Sequence, residues 1–135
     1  MTKKKSNLSA ALVLLIIMAV FFTAAITSMF VPVFRDLYSV FIPGLIVAVL
    51  GIPLLILGIK ADTGKLIRIF IILAGASAIS IALGSVLHNF LSAAVMHFIK
   101  NGFEEPVFFM ISVIIAPLGF LTGAIGTFIL YPRNR

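Results

Sequence analysis

The chain has no cysteine and no tryptophan, and only 10% of its 135 residues are charged. The absence of cysteine excludes disulfides, thiolate metal sites, iron–sulfur clusters and cysteine nucleophiles. A soluble domain has about 25% charged residues, so this chain has too few polar side chains to cover a surface that faces water. The 62% of residues that are hydrophobic must therefore face another medium, and lipid is the expected one.

Four long apolar stretches dominate what is present, at about 8–31, 37–59, 66–87 and 106–131. At about 1.5 Å per residue, each is long enough to cross the ~30 Å hydrocarbon core as a helix. Residues 12–18 are continuously apolar, whereas a transmembrane strand would alternate. The links between the stretches are short, which favours antiparallel neighbours. We predict an all-α integral membrane protein, folded as one four-helix antiparallel bundle.

The basic residues are distributed unevenly between the two ends of this predicted bundle. Along a path that crosses the membrane four times, only Arg35 and Lys100 fall on one side. Eight cations fall on the other side: Lys3, Lys4, Lys5, Lys60, Lys65, Arg68, Arg133 and Arg135. Basic residues accumulate on the cytoplasmic side, so we predict a cell-membrane protein with both termini in the cytoplasm. The cations occur in short groups between apolar runs, which argues against nucleic-acid binding despite the net charge of +6.

The first stretch has a second interpretation, as a cleaved signal peptide. Lys3–Lys5 would be its basic region, and Thr23-Ala24-Ala25 would supply a small-residue cleavage site. The apolar run is, however, longer than the 7–15 residues typical of a signal peptide, and it continues through Val31. These features favour a retained helix.

The segment 88–100 does not fit a simple span. At 100° per residue, its polar side chains occupy one half of a helical wheel, while Phe90, Leu91, Ala94, Val95 and Phe98 occupy most of the other half. We expect a short amphipathic helix at the outer face, between the third and fourth spans. A bend near residues 84–89 would separate it from the third span.

Small residues recur on three of the predicted spans. Such residues let helix backbones approach closely in lipid. The candidates for helix packing are Gly44, Gly51, Ala76, Ser80, Gly84, Gly119, Gly123 and Gly126. We predict that they pack within one bundle, and a contact between copies of the chain is the alternative.

A polar cluster is predicted at the outer face. Its members are His88, Asn89, Ser92, His97, Glu104 and Glu105. Imidazole and carboxylate groups are ligands for zinc or copper. His88 and His97 are nine residues apart, however, which places them on opposite sides of one helix. The two glutamates precede Pro106, a pattern typical of a helix start. We therefore predict no metal and no cofactor.

The sequence also limits the possible functions. No ionisable residue lies at a predicted membrane centre, which argues against proton-coupled transport and acid–base catalysis. Ser85 and His88 lie three residues apart but lack an orienting acid nearby, so we predict no enzyme.

The leading hypothesis is a structural or accessory subunit, bound in lipid to a membrane-protein partner or to its own copies. An alternative is an oligomeric channel or small-solute transporter lined by Thr23, Thr27, Ser28, Ser77, Ser80 and Ser85. A metalloprotein or enzyme using the histidines and glutamates is a third. The layout, with Leu87-His88-Asn89 after the third span and Pro117-Leu118-Gly119-Phe120 in the fourth, resembles small four-helix proteins of prokaryotic membranes. That resemblance implies a fold but no function.

Overall fold

We describe a computed structural model of the chain, which covers residues 2–30, 37–99 and 106–134. All of its regular structure in these ranges is helical. The elements are α1 (Thr2–Phe30), α2 (Leu37–Lys60), α3 (Lys65–Ile99), α4 (Pro106–Met110), a π-helical turn (Ile111–Ile115), α5 (Ala116–Leu130) and a 3-10 turn (Tyr131–Asn134). We call α4, the π-helical turn and α5 together the fourth span.

Four helices are long and apolar enough to cross a membrane, which confirms the predicted number of spans. The stretches with the required length and hydropathy are Asn7–Ser28, Ile42–Lys60, Lys65–Phe98 and Pro106–Arg133. Large apolar side chains also cover the outside of the structure. Val20 and Val86, for example, are 63% and 62% exposed. In lipid such side chains need no burial against protein, since the surrounding medium is itself apolar.

The core is a set of positions spaced three and four residues apart. On α1 they are Leu8, Ala11, Leu15, Met18 and Phe22, all of them buried. A repeat of this kind keeps one stripe of a helix facing its neighbours over several turns. The other large residues that are fully buried include Leu54, Ile67, Ile71 and Phe120, from α2, α3 and α5. Every long helix therefore contributes to one common core.

Neighbouring helices meet in a consistent register. Gly58 of α2 lies against Ile71 and Ile72 of α3, whereas Gly51 lies against Ala78. Between α3 and the fourth span, Gly126 lies against Phe70 and Gly84 lies against Ser112. In both pairs, residue numbers rise along one helix as they fall along the other.

The first and fourth spans also touch. The rings of Phe22 and Phe120 have centroids 4.9 Å apart. Towards the chain termini, the hydroxyl groups of Ser9 and Tyr131 lie 3.4 Å apart, within hydrogen-bonding distance. The start of α1 and the end of the fourth span are therefore at the same end of the molecule.

The predicted helix boundary near His88 is absent. α3 is one continuous α-helix of 35 residues that ends at Ile99, so residues 88–99 belong to the same helix as the third span. No proline or glycine occurs between Ser85 and Ile99 to interrupt it. Asn89, the most polar residue near the expected break, donates its side-chain amide to the carbonyl of Ser85 at 2.9 Å. A polar side chain satisfied in this way is compatible with an unbroken helix.

Candidate functional site

The most unusual local structure is the π-helical turn in the fourth span. The N–H of Ala116 donates to the carbonyl of Ile111, five residues back, where an α-helix would use the fourth. Pro117 follows immediately and has no N–H, so the carbonyl of Val113 lacks its usual donor. The change of helix type thus lies directly before a residue that cannot donate the next α-helical hydrogen bond, and π-helical turns of this kind are frequent at functional sites.

The π-helical turn packs against the C-terminal half of α3. A Cβ atom added to Gly84 would lie 2.9 Å from the Ser112 Cβ and 3.1 Å from the Phe108 carbonyl oxygen. Ser112 is only 4% exposed and donates its hydroxyl to the carbonyl of Phe109 at 3.0 Å. One turn further along α3, the ring centroids of His88 and Phe109 are 5.3 Å apart. We call Gly84, His88, Phe109 and Ser112 the outer contact.

The predicted polar cluster is only partly assembled around this contact. His88 is half-buried beside Phe109, whereas His97 is exposed and its ring lies edge-on to that of the adjacent Phe98. Ser92 is half-buried and Asn89 is exposed. Glu104 and Glu105 lie outside the described residues. Among the residues that the structure describes, no group of three or more metal-ligating side chains is present.

Closer to the chain termini, the small residues form tight backbone contacts. A Cβ atom added to Gly123 would lie 2.5 Å from the Ala74 nitrogen and 2.7 Å from the Phe70 carbonyl oxygen. Gly119 lies directly against the hydroxyl of Ser77, and Gly126 lies against the ring of Phe70. Gly123 lets α3 and α5 approach to backbone distance, and Gly119 and Gly126 leave room for side chains of α3, which is the packing that small residues allow in lipid.

Gly51 has a similar role towards α2, because an added Cβ would lie 3.0 Å from both the Ala78 Cβ and the Gly75 carbonyl oxygen. Gly44 differs, since an added Cβ would meet no described atom within 4 Å. Ala76 and Ser80 are half-buried on α3, and the Ser80 hydroxyl bonds to the Ala76 carbonyl at 2.9 Å.

Two close contacts were missed by the sequence reasoning. A Cβ atom added to Gly75 would lie 2.7 Å from the Leu55 nitrogen, and one added to Gly58 would lie 2.9 Å from Ile72. The run of small residues from Ala74 to Ala78 was a usable signal for Gly75, because every position in it is small. Gly58 carries no such signal, since its neighbours in sequence are large aliphatic residues.

Hydroxyl groups within the spans bond mostly to their own helices. Six hydroxyl groups donate to the carbonyl oxygen four residues earlier, at 2.7 to 2.9 Å. They belong to Thr23, Ser28, Ser80, Ser85, Thr122 and Thr127. This pattern removes the penalty of placing a hydroxyl in an apolar medium. Thr63 is different: its hydroxyl oxygen is buried and has no hydrogen-bond partner in the described part of the chain.

The proposed channel-lining residues are not gathered in one place. Thr23 and Thr27 are exposed on α1, whereas Ser77 is buried against Gly119 between α3 and α5.

Comparison with known proteins adds no further assignment, because the chain matches no family model, no curated protein and no solved structure.

Proposed function

We propose that this chain is a structural or accessory subunit of a membrane complex, built as an antiparallel four-helix bundle in the cell membrane. The observation that carries the proposal is the occupation of its interior by close helix contacts. A Cβ atom added to Gly51, Gly75 or Gly123 would lie within about 3 Å of a backbone atom of the neighbouring helix. An interior packed in this way serves to hold helices together, which suits a scaffold.

The contacts between α2 and α3 support the antiparallel arrangement. Gly58, late in α2, lies against Ile71, early in α3, whereas the earlier Gly51 lies against the later Ala78. The contact of Ser9 with Tyr131 supports the placement of both termini on one side. The basic residues at that end favour the cytoplasm. Five buried side chains of α1 belong to the common core, which supports its retention as a spanning helix and not as a signal peptide.

The same contacts restrict where a partner could bind. Most of the predicted packing glycines are occupied by the chain's own helices, so they are not free to contact another protein. Gly44 is the exception among them. Its neighbours Ile42 and Leu45 are 50% and 47% exposed. A partner helix would therefore find its closest approach to this chain at the Gly44 side of α2.

Co-purification tests the accessory role. The tagged chain is expressed at its native level and extracted in mild detergent. We expect a second membrane protein to co-purify with it, at a constant molar ratio of partner to tagged chain. Replacement of Gly44 by leucine should lower that ratio, because a large side chain prevents close helix approach. The matched control is Val49→Leu, a substitution at another exposed position of the same helix. Recovery of the chain only as a lone monomer would contradict the proposal.

A channel formed by several copies is the second candidate. Thr23 and Thr27 are one helical turn apart and both are exposed on α1, so they could line a pore shared between subunits. Purified protein in liposomes should then conduct ions or small solutes. Thr23→Val/Thr27→Val should reduce the flux, with Thr122→Val, at an exposed threonine of α5, as the control. Absence of flux for all tested solutes would remove this candidate.

A further inference from the structure

The turn between α2 and α3 concentrates positive charge at one end of the molecule. Lys60 is the last residue of α2, and Lys65 and Arg68 lie in the first turn of α3. All three side chains are exposed. The turn itself is short and ordered by backbone hydrogen bonds, from Ala61 to the Gly58 carbonyl at 3.4 Å and from Arg68 to the Gly64 carbonyl at 3.2 Å. The three cations are thus held on a defined backbone.

Other cations lie at the same end. Because Gly126 lies against Phe70, the two following turns of the fourth span bring the exposed Arg133 to the level of the α2–α3 turn. The helical backbone of α1 begins at Thr2, and Ser9 lies beside Tyr131, so Lys3–Lys5 belong to this end too. Asp62 is the one acidic residue in these segments.

The electrostatics of α3 add to this imbalance. A helix N-terminus carries a partial positive charge and is normally accompanied by acidic residues. The first turn of α3 contains none, and it carries Lys65 and Arg68 instead. Two cations at the positive end of a helix repel it and each other, so this end of the isolated chain favours an anionic group nearby. Lysine, arginine and backbone N–H groups are together the usual partners of a phosphate.

The depth of this end in the membrane identifies the phosphate source. Leu66 and Ile69, which follow directly, are 55% and 48% exposed apolar residues, so the hydrocarbon region begins within the first turn of α3. The cations therefore lie at the level of the lipid headgroups. We propose that the α2–α3 turn, through Lys60, Lys65 and Arg68, binds the headgroup of an anionic phospholipid. This rests on the membrane placement proposed above but not on the accessory role.

The test measures lipid selectivity of the purified full-length chain. The protein is reconstituted in vesicles of phosphatidylcholine with a minor share of phosphatidylglycerol, extracted in mild detergent, and its retained lipids are quantified by mass spectrometry. Phosphatidylglycerol should be enriched at least about fivefold over its share in the vesicle, which is the enrichment that a single basic residue of ordinary strength would give. Both leaflets have the same composition, so the result does not depend on orientation.

The variant Lys60→Gln/Lys65→Gln/Arg68→Gln should reduce the enrichment to near unity. The matched control, Lys3→Gln/Lys4→Gln/Lys5→Gln, removes the same charge from the same end and should retain most of it. Circular dichroism and elution volume establish that each variant is folded. Added inorganic phosphate should not displace the lipid, and higher salt should weaken the enrichment.

Three results would overturn the proposal. The first is a lack of enrichment in the unmodified protein. The second is an equal loss in both triple variants, which would indicate attraction by net charge alone. The third is displacement by inorganic phosphate at low concentration, which would assign the turn to a soluble anion. Each result is independent of whether a protein partner co-purifies.

Discussion

The two halves of α3 have similar apolar composition but very different surroundings. In the first half, six residues are buried: Ile67, Ile71, Ala74, Gly75, Ser77 and Ala78. In the second half, from residue 82 to residue 98, Gly84 alone is buried. Phe90 and Phe98 there are 68% and 82% exposed. Burial along this helix is thus decided by its neighbours and not by its own hydrophobicity.

The neighbours explain the difference. α2 and α5 both contact the first half at backbone distance, through Gly51, Gly58 and Gly123. Gly44 lies two turns from Gly51 on the same side of α2, and an added Cβ there would meet no described atom within 4 Å. In the described residues, α2 and α3 are therefore in close contact from Gly51 to Gly58, whereas no described atom comes as close at Gly44.

The largest effect is expected from Gly123→Ala, which introduces a methyl group against the backbone of the first half of α3. The new Cβ would lie 2.5 Å from the Ala74 nitrogen, and a backbone atom within a helix cannot move aside alone. We expect a loss of about 3 kcal/mol in the free energy of unfolding, measured by denaturation in mixed micelles. Gly44→Ala is the control and should change it by less than about 0.5 kcal/mol. Equal effects would remove the distinction between the two regions.

A second prediction compares side-chain truncation in the two halves. Ile71 is 0% exposed and Leu83 is 56% exposed, both on α3. Ile71→Ala should cost about 2 kcal/mol, the lower end of the range for buried aliphatic residues. The lower end is expected because unfolding within lipid does not transfer the side chain to water. Leu83→Ala should lower the free energy of unfolding by less than about 0.5 kcal/mol. A comparable loss at Leu83 would indicate a contact that covers the second half.

A smaller effect is expected from Gly84→Ala at the outer contact. The added Cβ would lie 2.9 Å from the Ser112 Cβ and 3.1 Å from the Phe108 carbonyl oxygen, a less severe overlap than the 2.5 Å approach at Gly123. We expect a loss of about 1 kcal/mol in the same denaturation assay. The double variant Gly84→Ala/Ser112→Gly should recover part of it, because it removes the nearest atom while the Phe108 carbonyl remains. Additive losses would show that the two residues do not determine each other's packing.

The smallest effect is expected from the ring pair of His88 and Phe109, whose centroids are 5.3 Å apart. His88→Ala should lower the free energy of unfolding by about 0.5 kcal/mol, the lower end for aromatic pairs. His88→Phe retains a ring at this position and should leave stability nearly unchanged. If His88→Phe were as destabilising as His88→Ala, the polar imidazole, and not ring packing, would be the important feature.

The sequence predicted some contacts and not others for physical reasons. Gly119, Gly123 and Gly126 stood out because they repeat on a strongly apolar span. The sequence does not predict which face of α1 is buried, since apolar residues occur on all sides of this helix and no polar face marks its outside. In lipid, an outward position is as apolar as an inward one, so hydrophobic periodicity loses the information that it has in water.

By itself, the sequence determined that the chain has four helical spans, because backbone polar groups in hydrocarbon must be satisfied within each apolar stretch. It also placed the basic residues that distinguish the two ends. Only the tertiary structure decided that α3 continues unbroken to Ile99, that Pro117 follows a π-helical turn, and which glycines are closely packed. These features depend on distances between helices, which are set by the fit of side chains from segments far apart in the chain.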